Sequence, residues 1–427
     1  MNRITAIVLT FLFSSMLFSQ QRDLNFYIEQ AKKTSPLIKK NENDNRIITL
    51  NHQQIERVLK GPVISLESSL VLSPIIAFDN DFTTFAIASD GSHSYVGYDL
   101  SATNGGQYQA LVSIVQPLLG NKYLKPYIEK AGVSLKQNKN EINMTAHEIE
   151  QLVGYQYFLC LKSKYQKNTS EINLKLVEDQ LMTLRKLVES AVYKQSDLML
   201  LEIERQNILL ANKAFDDNYK SNIYDLNLLC GVKDKGLVDI QDTELSISPN
   251  SNKESKFFES YRLDSLAIVA DQSINDLKYK PQLNIFANAG YNATGLLSLD
   301  HFGFSAGLSF GWTLYDGNQR KLEREKSKVY ISTVQFEKEH FKTQREINID
   351  KIVSQLKALA EQERMLDDQL KQYDKLYKAY ADQLAHGLIS VMDFKNLLKD
   401  ITSKKQDFQL LKMDKQLLIN SYNYWNY

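Results

Sequence analysis

The chain contains an internal duplication in which short strand-like segments lead directly into very long helical runs. Segments 112–135 and 308–331 share one plan: an alternating stretch, a Gly-Asn turn and a long charged run. A second matched pair lies upstream of each copy, at 60–66 and 278–285. A duplication that joins strands to such long helices is compatible with few architectures, and it predicts two copies of one structural unit.

The duplication also predicts the domain boundaries. We expect a first repeat at 20–235, a linker at 236–253 and a second repeat at 254–427. Each repeat should contain a helix, a β-hairpin and a long helical hairpin. Residues 1–19 have the pattern of a secretory signal peptide, because one basic residue precedes an apolar run too short for a membrane-spanning helix. We therefore expect the mature protein to be exported.

Long helices dominate the predicted secondary structure. Segments 121–191 and 318–384 carry apolar residues at three-four spacing, which is typical of a coiled-coil seam. About 70 residues at ~1.5 Å each correspond to a helix of roughly 100 Å, which is longer than globular domains use. Shorter helices are predicted at 23–59, 196–229, 254–279 and 390–424. Each repeat then has one long helix flanked by two shorter ones stacked end to end.

Four segments between the helices have the alternation of β-strands. The clearest is 302–314, where large apolar residues alternate with Gly, Ser and Thr, as in a transmembrane barrel strand. The other candidates are 64–72, 107–117 and 283–291. Four strands do not close a barrel, and an open sheet edge is not viable in lipid. We therefore expect several copies to share one barrel, and three copies would supply twelve strands. Segment 79–107 is long and polar and is predicted to be an extracellular loop.

Several short motifs resemble the TolC-type outer-membrane efflux protein family across essentially the whole mature sequence. Leu24, Ala31 and Ser35-Pro36 stand where the family has an apolar helix with Ala and then Asn-Pro. The strand-to-helix turn of the family is similar to 116–121 and, in a second copy, to 312–318. The second copy lacks the proline, and Asn replaces the last Gly in both copies. The order, spacing and duplication of these motifs carry the resemblance.

The resemblance implies an α+β membrane protein. Three chains would form a shared 12-stranded β-barrel, four strands from each, continuous with a long α-helical coiled-coil tunnel in the periplasm. It implies an outer-membrane location and partnership with a periplasmic adaptor and an inner-membrane pump of the RND or ABC type. The function would be a passive exit duct for efflux or for type I secretion, and the sequence does not separate these two. The alternative is a non-conducting coiled-coil scaffold of the cell envelope.

The resemblance also implies gating residues where the helical hairpins turn back. The family pattern of Gly, a small or hydroxyl residue and then Asp falls on Gly387, Ser390 and Asp393, and a further acidic position is Asn396 here. In the first repeat the pattern is weaker and falls on Tyr193, Ser196 and Met199, with Asp197 displaced.

Two interpretations of Asp393 stay open at this point. A pore-facing Asp393 would form a ring of like charges at the tunnel entrance. Alternatively, Ser390 to Asp393 resembles a capping box, and an acid in a first turn is favoured by the helix dipole. For Asp197 the sequence favours the first-turn role.

Composition argues against several classes of protein. Lysine plus arginine equals aspartate plus glutamate at 51 each, so no basic field is available for nucleic acid. The six histidines are scattered without metal-ligand spacing, and no phosphate loop or nucleophile motif is present, so we expect no metal, no cofactor and no enzyme activity. The two cysteines, Cys160 and Cys230, lie at similar distances from the first hairpin turn. A disulfide is possible in an exported protein, but two buried thiols are the favoured interpretation.

Overall fold

A computed structural model describes residues 22–72, 75–77, 84–86, 95–96, 106–234, 239–249, 255–294 and 302–427. The predicted signal peptide, and much of the predicted extracellular loop, lie outside these residues. The described residues are mostly helical and include one four-stranded antiparallel sheet.

Seven α-helices are formed by the described residues. Two of them are very long, with 70 and 67 residues, as the apolar spacing predicts. The helices are α1 (Leu24–Thr34), α2 (Pro36–Lys60), α3 (Gly120–Glu189), α4 (Gln195–Leu229), α5 (Phe257–Asn275), α6 (Gln319–Ala385) and α7 (Val391–Trp425). A short 3₁₀ helix, Asp276–Tyr279, follows α5.

The predicted helix at 23–59 is wrong in one respect, because it is two helices. The chain leaves the helical conformation at Ser35, whose ψ is 119°. Pro36 explains the break, since proline disfavours the helical conformation of the residue before it and is well tolerated at the first position of a new helix. The Ser35 hydroxyl then accepts a hydrogen bond from the backbone N–H of Ile38 at 3.4 Å.

The four long strands form where the alternation predicts them, but three short strands were not predicted, and two of these lie within the segment 79–107 that we expected to be a loop. They are β1 (Val63–Leu72), β2 (Ile75–Ala77), β3 (Thr84–Ala86), β4 (Tyr95–Val96), β5 (Gly106–Pro117), β6 (Gln282–Thr294) and β7 (Phe302–Gly311). The four long strands pair in the order β1-β5-β6-β7, and every pair is antiparallel. The short strands form a separate three-stranded sheet in the order β3-β2-β4.

The register of the four-stranded sheet sorts its side chains into an apolar face and a face with many small and polar residues, which also carries Val115 and Phe286. Residues opposite one another share a face, so Leu66, Val112, Ala289 and Phe304 form one row across the sheet. Leu66 is 78% exposed and Phe304 is 89% exposed. A row on the other face consists of Ser65, Ser113, Asn288 and Ser305. The predicted alternation is therefore present, and its apolar side is uncovered in the single chain.

The described residues fall into two compact units. One comprises residues up to Glu42 together with Lys139–Ser260 and Glu337–Tyr427, and the other comprises Asn43–Asn138 and Tyr261–Phe336. The four-stranded sheet belongs to the second unit. The repeat boundaries expected from the sequence are a different division of the chain and stay a prediction.

The first unit has an aromatic core that encloses both cysteines. Tyr27, Tyr157 and Phe158 are fully buried in this core, next to Cys160 and Cys230. Both thiols are free, which agrees with the favoured interpretation. Burial raises the pKa of each thiol, to about 12 for Cys230. The thiols are therefore protonated at neutral pH and poorly reactive.

Candidate functional site

Both helical hairpins turn back through the same backbone motif. We call residues 190–194 the first tip and residues 386–390 the second tip. In the first tip Ala191 is left-handed, with φ 57°, and the N–H of Val192 bonds the Leu187 carbonyl at 2.9 Å. In the second tip Gly387 is left-handed, with φ 72°, and the N–H of Leu388 bonds the Gln383 carbonyl at 2.9 Å. These are Schellman-type helix ends.

The shared motif corrects the alignment of the two tips that the sequence indicates. Gly387 corresponds to Ala191 and not to Tyr193, because these two residues occupy the same left-handed position. Asp393 then corresponds to Asp197, since each lies in the first turn of the returning helix. The pattern is obscured in the first repeat because alanine occupies a position that usually selects glycine.

The two aspartates have different surroundings despite this equivalence. The Asp197 carboxylate accepts a hydrogen bond from the backbone N–H of Lys194 at 3.0 Å, so it caps α4. In α7 the cap is Ser390, whose hydroxyl accepts from the N–H of Met392 at 3.1 Å. Asp393 is exposed and forms no hydrogen bond or ion pair with the residues that the structure describes. Its carboxylate is thus available to other groups.

The remaining predicted site residues lie at the surface of this end of the first unit. Ser196 is exposed in the first turn of α4, Asn396 is exposed in the second turn of α7, and Gly387 is exposed in the second tip. Ser390, Asp393 and Asn396 follow one another at three-residue spacing, so they form a stripe along one side of α7.

Tyr193 connects the two tips directly. Its hydroxyl donates a hydrogen bond to the Ile389 carbonyl at 2.7 Å and lies 3.4 Å from the Leu384 carbonyl. Burial raises the pKa of this phenol, so the hydroxyl keeps its proton. The two tips also approach each other at Gly387, where an added Cβ atom would lie only 2.6 Å from Cγ1 of Val192. The tips are therefore in close contact, and the glycine makes the contact possible.

An apolar cluster under the tips packs the two hairpins together. Phe394, Leu184, Leu201 and Leu384 are fully buried at its centre. The Tyr377 ring lies 6.0 Å from that of Phe394, and its hydroxyl accepts a hydrogen bond from the Gln180 amide. We call this group the tip cluster; it comprises Val177, Leu181, Leu184, Leu198, Leu201, Ile208, Leu384, Val391, Phe394 and Leu398.

One largely buried ion pair joins the returning helices of the two hairpins. Nζ of Lys395 in α7 lies 3.7 Å from a carboxylate oxygen of Glu204 in α4. Their side chains are only 21% and 12% exposed. Separating the hairpins would leave two partly desolvated charges without a partner, which is unfavourable unless water or another group replaces the contact.

The residues that the structure describes contain no group of three or more His, Cys, Asp or Glu side chains placed to hold a metal ion. Among these residues we also find no helix with the length and apolar character needed to cross a membrane.

Comparison with known proteins identifies the fold. No family model matches the sequence, and no curated protein matches it. Solved structures do. The outer membrane protein VceC from Vibrio cholerae aligns with 94% of this chain and 95% of its own, with a TM-score of 0.68 and 12% identity. CusC aligns with 94% of this chain and 91% of its own, with a TM-score of 0.71 and 10% identity. This chain has the fold of the TolC-type outer-membrane efflux channels.

The CmeC outer membrane channel of Campylobacter jejuni supports the same assignment. It aligns with 96% of this chain and 86% of its own, with a TM-score of 0.66 and 10% identity. At such identities the likeness is one of fold. The TolC-type resemblance of the sequence motifs is therefore confirmed at the level of architecture.

Within this TolC-type fold, sequence reasoning found the end of the molecule that carries the predicted site but missed its contacts. The bridge from Tyr193 to Ile389 uses a carbonyl group, and no residue pattern marks a carbonyl acceptor. Phe394 follows Asp393 directly and could have been found from its apolar spacing with Leu398 along α7. The pairing of Glu204 with Lys395 depends on how two distant helices meet.

Proposed function

We propose that this chain is the outer-membrane exit duct of a tripartite efflux or type I secretion system. Three copies would share a twelve-stranded barrel in the outer membrane, and their helices would form a tunnel through the periplasm. The duct would be passive and non-enzymatic, with energy supplied by its partners.

The observation that carries the proposal is the uncovered apolar face of the four-stranded sheet. Phe302, Phe304, Leu308 and Phe310 on β7 are each at least 65% exposed in the single chain. Contiguous apolar surface of this kind marks a membrane or protein interaction site. The opposite face includes the row of Ser65, Ser113, Asn288 and Ser305, and such small polar side chains suit the water-filled interior of a barrel.

The edges of this sheet support oligomerisation. β1 and β7 are its outer strands, and each lacks a neighbour on one side among the described strands. In lipid every unpaired backbone group costs several kcal/mol, so the edges must pair with other copies. A closed ring with β7 of one chain beside β1 of the next uses the same contact at every junction.

The partners follow from the proposed role. A periplasmic adaptor and an inner-membrane pump of the RND or ABC type would deliver cargo at the hairpin tips. The fold likeness to VceC, CusC and CmeC supports an outer-membrane location with a large periplasmic portion. We propose the tips as the entrance, with Asp393 repeated three times around the pore axis.

Single-channel recording tests the duct directly. We expect the mature protein, purified in detergent, to have the mass of three chains and to show discrete openings in planar bilayers. A trimer that never conducts, or a monomer, would instead favour a coiled-coil scaffold of the envelope. Mass and conductance should be measured on the same preparation, so that assembly and conduction are judged separately.

Removing the Asp393 carboxylate should make the resting channel leakier. A ring of three carboxylates narrows the entrance and holds cations there, and Asp393→Ala removes both effects. We expect a several-fold higher resting conductance and weaker cation selectivity. Asp393→Glu retains the charge and is the matched control, for which selectivity should be preserved. Equal conductance and selectivity in all three proteins would exclude a pore-facing role and leave only the favourable interaction with the helix dipole.

A further inference from the structure

An open cavity lies where β7 leads into α6, within the second unit. Its volume is about 710 Å³. We call it the junction cavity; its lining includes Trp312, Leu314, Tyr315, Arg320, Lys321 and Arg324. We propose that the junction cavity binds the headgroup of an anionic phospholipid, with the phosphate on the basic side and the acyl chains along the strands. The inference rests on the proposed function, because it requires the sheet to lie in a membrane.

The apolar wall of the junction cavity continues the apolar face of the sheet. Trp312 and Leu314 follow β7 directly along the chain and, like Phe304 and Phe310 of that strand, they are large, apolar and exposed. Trp312 is 56% exposed, Leu314 is 79% exposed, and neighbouring Tyr315 is 78% exposed. Amphipathic aromatic rings are typical of the level at which lipid headgroups lie. The indole N–H of Trp312 is held by the Tyr279 carbonyl at 3.3 Å, which fixes this wall.

The basic wall consists of side chains from the first turns of α6. Arg320 and Arg324 both bind one carboxylate, that of Asp276, at 3.2 and 2.9 Å. Each guanidinium has five N–H donors, so donors remain on both for a further oxyanion. The Arg320 guanidinium also lies 5.1 Å from the centre of the Tyr279 ring. The two arginines are thus positioned beforehand, and a phosphate would complete their hydrogen bonding.

Two lysines add charge to this wall. Lys321 forms no ion pair with any residue that the structure describes, and Lys328 pairs with Glu325 at 3.0 Å. Asp316 also lines the cavity, but both of its carboxylate oxygens are occupied, by the Gln319 N–H and by the Tyr279 hydroxyl. The four basic side chains therefore exceed the two carboxylates that contact them, those of Asp276 and Glu325, and the surplus favours an anion.

The combination of walls identifies the ligand class. A free phosphate ion would use the arginines and lysines but not the exposed row of Trp312 and Leu314. A neutral lipid would use the apolar row but not the surplus charge. An anionic phospholipid uses both, with its phosphate at the boundary where the apolar face of the sheet ends. This boundary would face the leaflet on the helical side of the membrane.

Lipid binding to the intact assembly tests the proposal. The full mature protein in detergent would be titrated with phosphatidylglycerol, phosphatidylcholine or inorganic phosphate, and bound molecules counted by native mass spectrometry. We expect phosphatidylglycerol to be retained over phosphatidylcholine. Lys321→Gln should weaken phosphatidylglycerol binding roughly fivefold, and Lys321→Gln with Lys328→Gln should weaken it further. Both positions are exposed surface sites whose change leaves the Asp276 contacts in place.

The control is Lys326→Gln, one turn along the same helix. Lys326 pairs with Glu323 and does not line the cavity, so this variant should bind lipid as the unchanged protein does. Equal weakening by Lys326→Gln, equal binding of phosphatidylcholine, or displacement of the lipid by inorganic phosphate at similar concentration would each overturn the proposal. A change in the number of chains per particle in Lys321→Gln would also overturn it, because that change would show that a second copy covers the cavity.

Conductance recorded on the same samples separates this inference from the proposed function. A conducting trimer without phosphatidylglycerol preference contradicts the lipid site alone. A non-conducting protein that still binds the lipid, and loses it in the Lys321 variant, contradicts the duct alone.

Discussion

A disulfide between positions 192 and 387 will hold the two hairpin tips together and prevent the channel from opening until it is reduced. The expected variant is Val192→Cys with Gly387→Cys. A Cβ atom at position 387 lies 2.6 Å from Cγ1 of Val192, and the Cβ of Val192 is one bond further away. The two Cβ atoms are therefore about 4 Å apart, within the range that a disulfide requires. If the hairpins must separate to widen the entrance, the covalent link abolishes opening.

The measurement is single-channel conductance before and after a reductant. The reduced form of the same protein is the main control, because it carries the same strain from a side chain at the left-handed position 387. The native thiols do not interfere, since Cys160 and Cys230 are buried and their pKa values are raised. Identical opening of the oxidised and reduced forms would contradict a gate formed by separation of the hairpins within one chain.

Truncation of Phe394 should loosen the contact between the two hairpin tips strongly. Phe394 is fully buried at the centre of the tip cluster, and Phe→Ala changes in such positions cost about 3–5 kcal/mol. Because the cost is confined to one end of the first unit, we expect local opening before global unfolding. Amide hydrogen exchange at 177–208 and 384–398 should accelerate strongly, and the resting conductance should rise.

Two further variants make the Phe394 result specific. Met392→Ala changes an exposed residue in the same helical turn, so exchange at the tips should stay close to that of the unchanged protein. Phe394→Leu keeps an apolar group and should have an intermediate effect. Unchanged exchange in Phe394→Ala would mean that the two hairpins are held together by other contacts, such as the Lys395–Glu204 pair.

Much of the fold could be predicted from local patterns. The long helices follow from uninterrupted apolar spacing, and the strands follow from alternation as regular as that of Phe302, Phe304, Leu308 and Phe310. The break at Ser35 is also a local property, because the residue before a proline is itself a helix-ending signal. The equivalence of the two tips is not visible in the sequence, since the left-handed residue of the first tip is an alanine.

The sequence by itself determined the secondary structure and the repetition of one helix-and-strand plan, because period and turn chemistry are local properties of the chain. It also located the stripe of Ser390, Asp393 and Asn396 near a turn. Only the tertiary structure decided which residues meet. The Tyr193 hydroxyl reaches a carbonyl 196 positions away, and Asp393 lacks the capping bond that Asp197 makes. Such contacts depend on how the two hairpins pack against each other in space. The sequence of one hairpin alone does not determine which atoms of the other hairpin it will meet.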